Sequence, residues 1–127
     1  MREIKFRIRY KKKYIDCCVI IPINNLILGE LKESLGIDEI ISIEQFTGLK
    51  DKNGKEIYER DIVTFEINNF SYVGEIKFEA GRFIIGCNEI DDSYMNLSDL
   101  DIEDEALWQV RILGNIYENP ELLEKGK

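Results

Sequence analysis

The chain has 127 residues, 44% hydrophobic and 33% charged, with a formal net charge of −8 and no histidine. That length fits one globular domain, or a small core with an appended lobe, which buries enough surface to fold without disulfide or metal. Without histidine, histidine-based triads and histidine–carboxylate metal sites are excluded.

Charge is unevenly spread. Arg2, Lys5, Arg7, Arg9, Lys11, Lys12 and Lys13 face only Glu3 within residues 1–13, whereas residues 89–105 hold eight acids and no base. Two readings stand: the basic and acidic segments pair, within or between chains, or both are solvated faces. A net acidic chain repels phosphate backbones, so nucleic acid is not an expected partner.

No apolar run approaches the roughly 20 residues needed to span a bilayer, and no signal-like segment follows the basic start. Cys17 and Cys18 are adjacent and Cys87 is odd, which reads as reduced thiols in a cytoplasmic protein.

In chain order, Phe6, Ile8 and Tyr10 alternate with Lys5, Arg7 and Arg9, the period of a strand with one wet face. Lys11–Lys13 then reads as a turn and Tyr14–Ile21 as a second strand, closing a hairpin. Leu28, Leu31 and Leu35 predict a short helix over Leu28–Leu35, ended by Gly36. Glu39–Phe46 returns to strand, with Ile41 and Ile43 on one side and Ser42 and Glu44 on the other.

The segment Gln45–Val63 is dense in turn chemistry. Asn53-Gly54 predicts a type I′ turn at the tip Asp51–Lys55, since both central positions need positive φ. Glu59-Arg60-Asp61 makes a second break, and Asp51 and Asp61 suit hydrogen bonding to the backbone just downstream. Strands are expected from Ile62 to Ile67, Phe70 to Glu79 and Arg82 to Cys87, divided by Asn68-Asn69 and Ala80-Gly81.

Residues 89–105 read as an acidic loop with one helical turn at Leu97–Leu100, and Trp108, Val110 and Ile112 as a last strand. Asn119-Pro120-Glu121 starts a terminal helical turn over Glu121–Glu124. The sum is a mainly β fold with short helices. An N-terminal hairpin and helix over 1–44 precede a small SH3-like antiparallel barrel spanning about Gln45 to Tyr117 within 45–127.

TGLKDKNGKEIYERDIV, ILGNIYENPELLE and the opening MREIKFR resemble the YopX family of small proteins found in phages and prophages of Gram-positive bacteria. The family's usual Trp and acidic residue after Phe-Arg are replaced by Ile8-Arg9-Tyr10, and its usual glycine before Asp-Ile-Val is Arg60. The resemblance implies a mainly β fold, a homo-oligomer and a phage origin.

No Walker-type or Rossmann-type glycine spacing occurs, and the glycines fall at turns and strand bends. Asp91-Asp92 and Asp99, Asp101 and Glu103 lack the glycine and terminal glutamate of a calcium loop. The chain therefore reads as non-enzymatic and without a cofactor, which leaves binding.

Arg82 and Arg111 sit in strand-like apolar runs, where a cation calls for an acidic partner or an anionic ligand. With the aromatic surface of Phe83, Tyr94 and Trp108 they form the candidate ligand-binding set. Two functions follow. In the first, an accessory protein of phage origin sequesters a small anionic, nucleotide-like host signal in pockets between subunits, as an anti-defence factor. In the second, it modulates a host or phage protein through its acidic segment.

Overall fold

The computed structural model describes residues 4–22, 28–67, 70–79, 81–86, 94–96 and 110–123. The acidic stretch apart from Tyr94–Asn96, the expected turn at Leu97–Leu100, Cys87 and Trp108 lie outside them. The chain divides into two units, Met1–Gly48 and Leu49–Lys127. No helix among the described residues is long and apolar enough to cross a membrane.

In the first unit, β1 (Lys5–Lys12) lies between β2 (Ile15–Pro22) and β3 (Glu39–Lys50), antiparallel to both. Alternation places Ile8 and Tyr10 on one face, 0% and 8% exposed. The opposite face differs from the expected wet one. Glu44 is wholly buried between two arginines: Arg7 Nε donates to its Oε1 at 2.6 Å and Arg9 Nε to its Oε2 at 2.9 Å. Two forks around one carboxylate supply the charge compensation that burial demands. The isoleucines of β3 show the reverse, with Ile41 and Ile43 partly open to solvent. A bulge between Arg9 and Tyr10 shifts the β1–β3 register, so Tyr10 faces Ile40 and Ile41 is skipped.

Helix α1 occupies Leu28–Leu35, as its leucine spacing predicts. Gly36 follows at φ 68° and the Ile37 amide donates to the Lys32 carbonyl at 3.0 Å. This is the backbone reversal that glycine permits after a helix.

The second unit is an antiparallel sheet that accords with the expected small barrel. After β4 (Glu56–Tyr58), the strands β5 (Asp61–Ile67), β6 (Phe70–Glu79), β7 (Arg82–Gly86) and β8 (Tyr94–Asn96) form a meander. Strand β9 (Arg111–Asn115) returns to pair with β5, giving the order β8-β7-β6-β5-β9. Ile57, Val63, Phe65, Ile76, Phe83, Ile85 and Val110 form its buried core. Gly74 is required by crowding, since a Cβ there would lie 2.7 Å from the Gly86 carbonyl oxygen.

Three details depart from expectation. Strand β8 falls inside the stretch read as loop and turn. The expected last strand begins at Arg111, and the terminal turn is a 3₁₀ helix over Pro120–Leu123.

Candidate functional site

The turn Asp51–Lys55 is built differently from the type I′ form. Gly54 has φ 82°, but Asn53 is not among the described non-glycine residues with positive φ. The Gly54 amide donates to the Asp51 carbonyl at 3.0 Å and the Asp51 amide to the Lys55 carbonyl at 2.8 Å. A three-residue loop with a left-handed glycine at its end has this pattern.

The side chain of Asp51 organises the loop. Its Oδ1 accepts from the Asn53 and Lys55 amides at 2.8 and 2.9 Å, and its Oδ2 accepts from the Ile112 amide at 2.9 Å. The carboxylate is 6% exposed, so these amides take the place of water. The Lys52 amide also donates to the Val110 carbonyl at 2.9 Å. The loop is thus fastened to the start of β9, and Lys52 comes to lie beside Arg111.

Strand alternation supplies the remaining walls. Val63 and Phe65 point into the core, so Thr64 and Glu66 take the opposite face of β5. Register sets Thr64 opposite Arg111 on one side, and Glu66 opposite Ser71 on the other. Lys52, Thr64, Glu66, Ser71 and Arg111 together line a pocket of about 200 Å³. Thr64 Oγ1 donates to the Tyr72 carbonyl at 3.0 Å, so the donors left for a ligand are Lys52, Arg111 and the Ser71 hydroxyl. Among the described residues neither Lys52 nor Arg111 is held in an ion pair.

Of the sequence-predicted set, Arg111 is the one member among the described side chains that lines this pocket. Arg82 stands at the start of β7 opposite Glu79 and is not without a partner. Measured along the sheet, it is three strands and about 20 Å of strand length from the row of Arg111 and Thr64. The two arginines therefore do not converge within one chain. Phe83 is buried in the core, 7% exposed, with its ring edge-on to Phe78 at 4.8 Å. Tyr94 belongs to β8, and Trp108 lies outside the described residues. Lys52, Thr64, Glu66 and Ser71 were not singled out by sequence; the alternation of Val63-Thr64-Phe65 was the available signal for Thr64.

The segments IYERDIV and GNIYENPE meet at a corner nearby. Asp61 pairs with Asn115, and the Ile116 amide donates to the Arg60 carbonyl at 3.0 Å. Asp61 Oδ2 accepts from the Tyr58 amide, and Asn115 Oδ1 accepts from the Tyr117 and Glu118 amides. Arg60 has φ 72°, a left-handed conformation unusual for a side chain with a Cβ. Its guanidinium reaches Glu75 at 3.2 Å; burial works against the charged form, but Glu75 outweighs it and raises the arginine's pKa.

Among the described residues no group of three or more Cys, Asp or Glu side chains is placed to hold a metal ion. The acids of residues 89–105 fall outside that statement.

A family model described as YopX protein matches residues 2–124. A solved structure, "Crystal structure of protein EF1440 from Enterococcus faecalis", is similar over 97% of this chain and 99% of that one, with TM-score 0.52 and 22% identity. That likeness shows the fold alone. No curated protein matches the chain.

Proposed function

The chain belongs to the YopX protein family, and on that footing we propose that it acts by binding rather than catalysis, holding the phosphate-bearing end of a small nucleotide-like ligand between Lys52 and Arg111. The observation carrying this reading is the convergence, on the outer face of β5 and β9, of a hydroxyl and two cations that form no ion pair among the described residues. Arg111 offers a planar fork to a phosphate and Lys52 a point charge, the usual division of labour at anion sites. Glu66 adds selectivity. A bare inorganic anion meets its carboxylate with repulsion, whereas a ligand with a hydroxyl or amino group beside its phosphate satisfies both sides.

The pocket, about 200 Å³, is smaller than the roughly 300–1,000 Å³ of sites that enclose a whole ligand. It takes the charged end of a nucleotide and leaves the base outside. In the setting the family resemblance implies, a phage-borne protein of this kind withdraws an anionic host signal from circulation, an anti-defence role that needs stoichiometric binding and no turnover.

Calorimetric titration with mono-, di- and cyclic nucleotides tests the reading. Binding is expected, weakened at least about tenfold by Arg111→Ala and by Lys52→Ala, the scale of losing one charge-assisted hydrogen bond. No binding across the panel, or binding indifferent to both substitutions, sinks it.

A further inference from the structure

Strand β2 ends its sheet, which runs in the order β2-β1-β3-β4, so among the described residues no strand pairs with its outer side. Every second residue of such an edge points its N–H and C=O away from the sheet, a template for a further strand. Most proteins blunt that template with lysine, proline or a bulge. Here Ile15–Pro22 holds no lysine or arginine, its proline is the last residue, and its register with β1 runs unbroken over eight pairs.

The side chains along this edge are open as well. Ile15 is 64% and Ile20 49% exposed, and Cys18 is exposed too. Apolar side chains in water beside an open backbone edge supply both halves of strand addition: main-chain hydrogen bonds for affinity and rows of side chains for specificity.

What those rows accept is read from the strand already seated on the inner side. Ile21, Val19 and Cys17 lie across from Phe6, Ile8 and Tyr10 of β1, and Asp16 lies across from Lys11. A strand on the outer side meets the same two faces of β2. Asp16 is the one acid of β2; it is exposed and is in no ion pair among the described residues. The geometry points to an extended segment of a foreign protein as the occupant, apolar at alternate positions to match Val19 and Ile21 and carrying a lysine or arginine across from Asp16. A second copy of this chain fits worse: its β1 is enclosed between β2 and β3, and its β2 has no cation to offer. The edge belongs to the first unit and Lys52 and Arg111 to the second, so it goes beyond the anion pocket.

Fluorescence anisotropy of the full chain with a labelled peptide of β1's own sequence, KFRIRYKK, tests the strand addition. Saturable binding is expected, at least about tenfold tighter than that of KKKRRFIY, which has the same composition with its basic and apolar residues grouped. The grouped peptide carries the same charge, so it reports attraction to the acidic chain alone. Methylating every second amide nitrogen of KFRIRYKK along the edge that meets β2 should weaken binding at least about tenfold, and methylating the alternate set should not. Asp16→Lys should weaken binding about fivefold, and the peptide carrying Lys11→Glu, KFRIRYEK, should restore it. Lys11 also lies across from Asp16 within the chain, so circular dichroism verifies that variant's fold, while the methylated peptides probe the wild type. Absence of binding, equal binding of the ordered and grouped peptides, or indifference to methylation on either edge would each overturn the proposal. So would a wild-type dimer, seen by sedimentation velocity, that is joined along β2 and that the peptide does not dissociate.

Discussion

The carboxylate of Asp51 and the amide of Ile112, 61 residues apart in sequence, are joined by a 2.9 Å hydrogen bond. Through it, a turn dictated by local chemistry becomes part of a pocket wall on a distant strand. Replacing Asp51 by alanine removes the acceptor of three backbone amides at a buried position. Unfolding free energy in urea is expected to fall by about 3 kcal/mol, with nucleotide affinity falling alongside. A loss below about 1 kcal/mol would show that water replaces the carboxylate freely.

Glu44 is the charge on which the first unit depends. Glu44→Ala leaves Arg7 and Arg9, whose side chains are 14% and 11% exposed, without their shared carboxylate. The expected cost is about 3–5 kcal/mol, the range for breaking a buried ion pair from one side. Equilibrium denaturation reads it directly, and an unchanged midpoint would mean the arginines find other acceptors.

At Arg60 the backbone and the side chain want different residues. Glycine relieves the strain at φ 72° but loses the exposed pair with Glu75; alanine loses the pair and keeps the strain. Arg60→Gly should therefore be more stable than Arg60→Ala by about 1 kcal/mol, the penalty for a Cβ in the left-handed region. The pair contributes less than that, being on the surface. Equal midpoints for the two variants would contradict the assigned conformation.

Alkaline stability follows from Tyr10. Burial raises the pKa of its phenol above 10.0, with Cys17 and Cys18 adding to the rise. The folded state then holds the proton more tightly than the unfolded one, so stability is full below pH 10 and declines as pH rises past it. Denaturation at pH 8 and pH 11 should show a smaller decline for Tyr10→Phe than for the wild type.

The legible parts of this fold were those set by local periodicity. Leu28, Leu31 and Leu35 gave the helix its bounds, and alternation from Phe6 to Tyr10 gave β1 its inner face. Alternation reports that a strand has two faces, not whether the second is covered, which is why Arg7 and Arg9 were expected in water. Turn type depends on register as well as residues. Asn53-Gly54 satisfies a type I′ turn, yet the pairing of Asp51 with Lys55 makes a longer loop, while Lys13-Tyr14 takes the tight turn because Lys12 pairs with Ile15. Arg111 was conspicuous between Val110 and Ile112. Lys52 was not, because its place beside Arg111 arises from a contact that no local pattern encodes.

The return of β9 to β5 has a consequence during synthesis. Strands β5, β6 and β7 are neighbours in sequence and can pair as soon as they emerge, but the outer edge of β5 waits for Arg111–Asn115. At about 5–20 residues per second, that edge stands open for several seconds, a template for strand pairing with other chains. Pulse-labelled hydrogen exchange during refolding should accordingly protect amides at the β5–β6 boundary before those at β5–β9. The closing strand is the last guard against aggregation, and slowing its arrival should raise the insoluble fraction of the newly made protein.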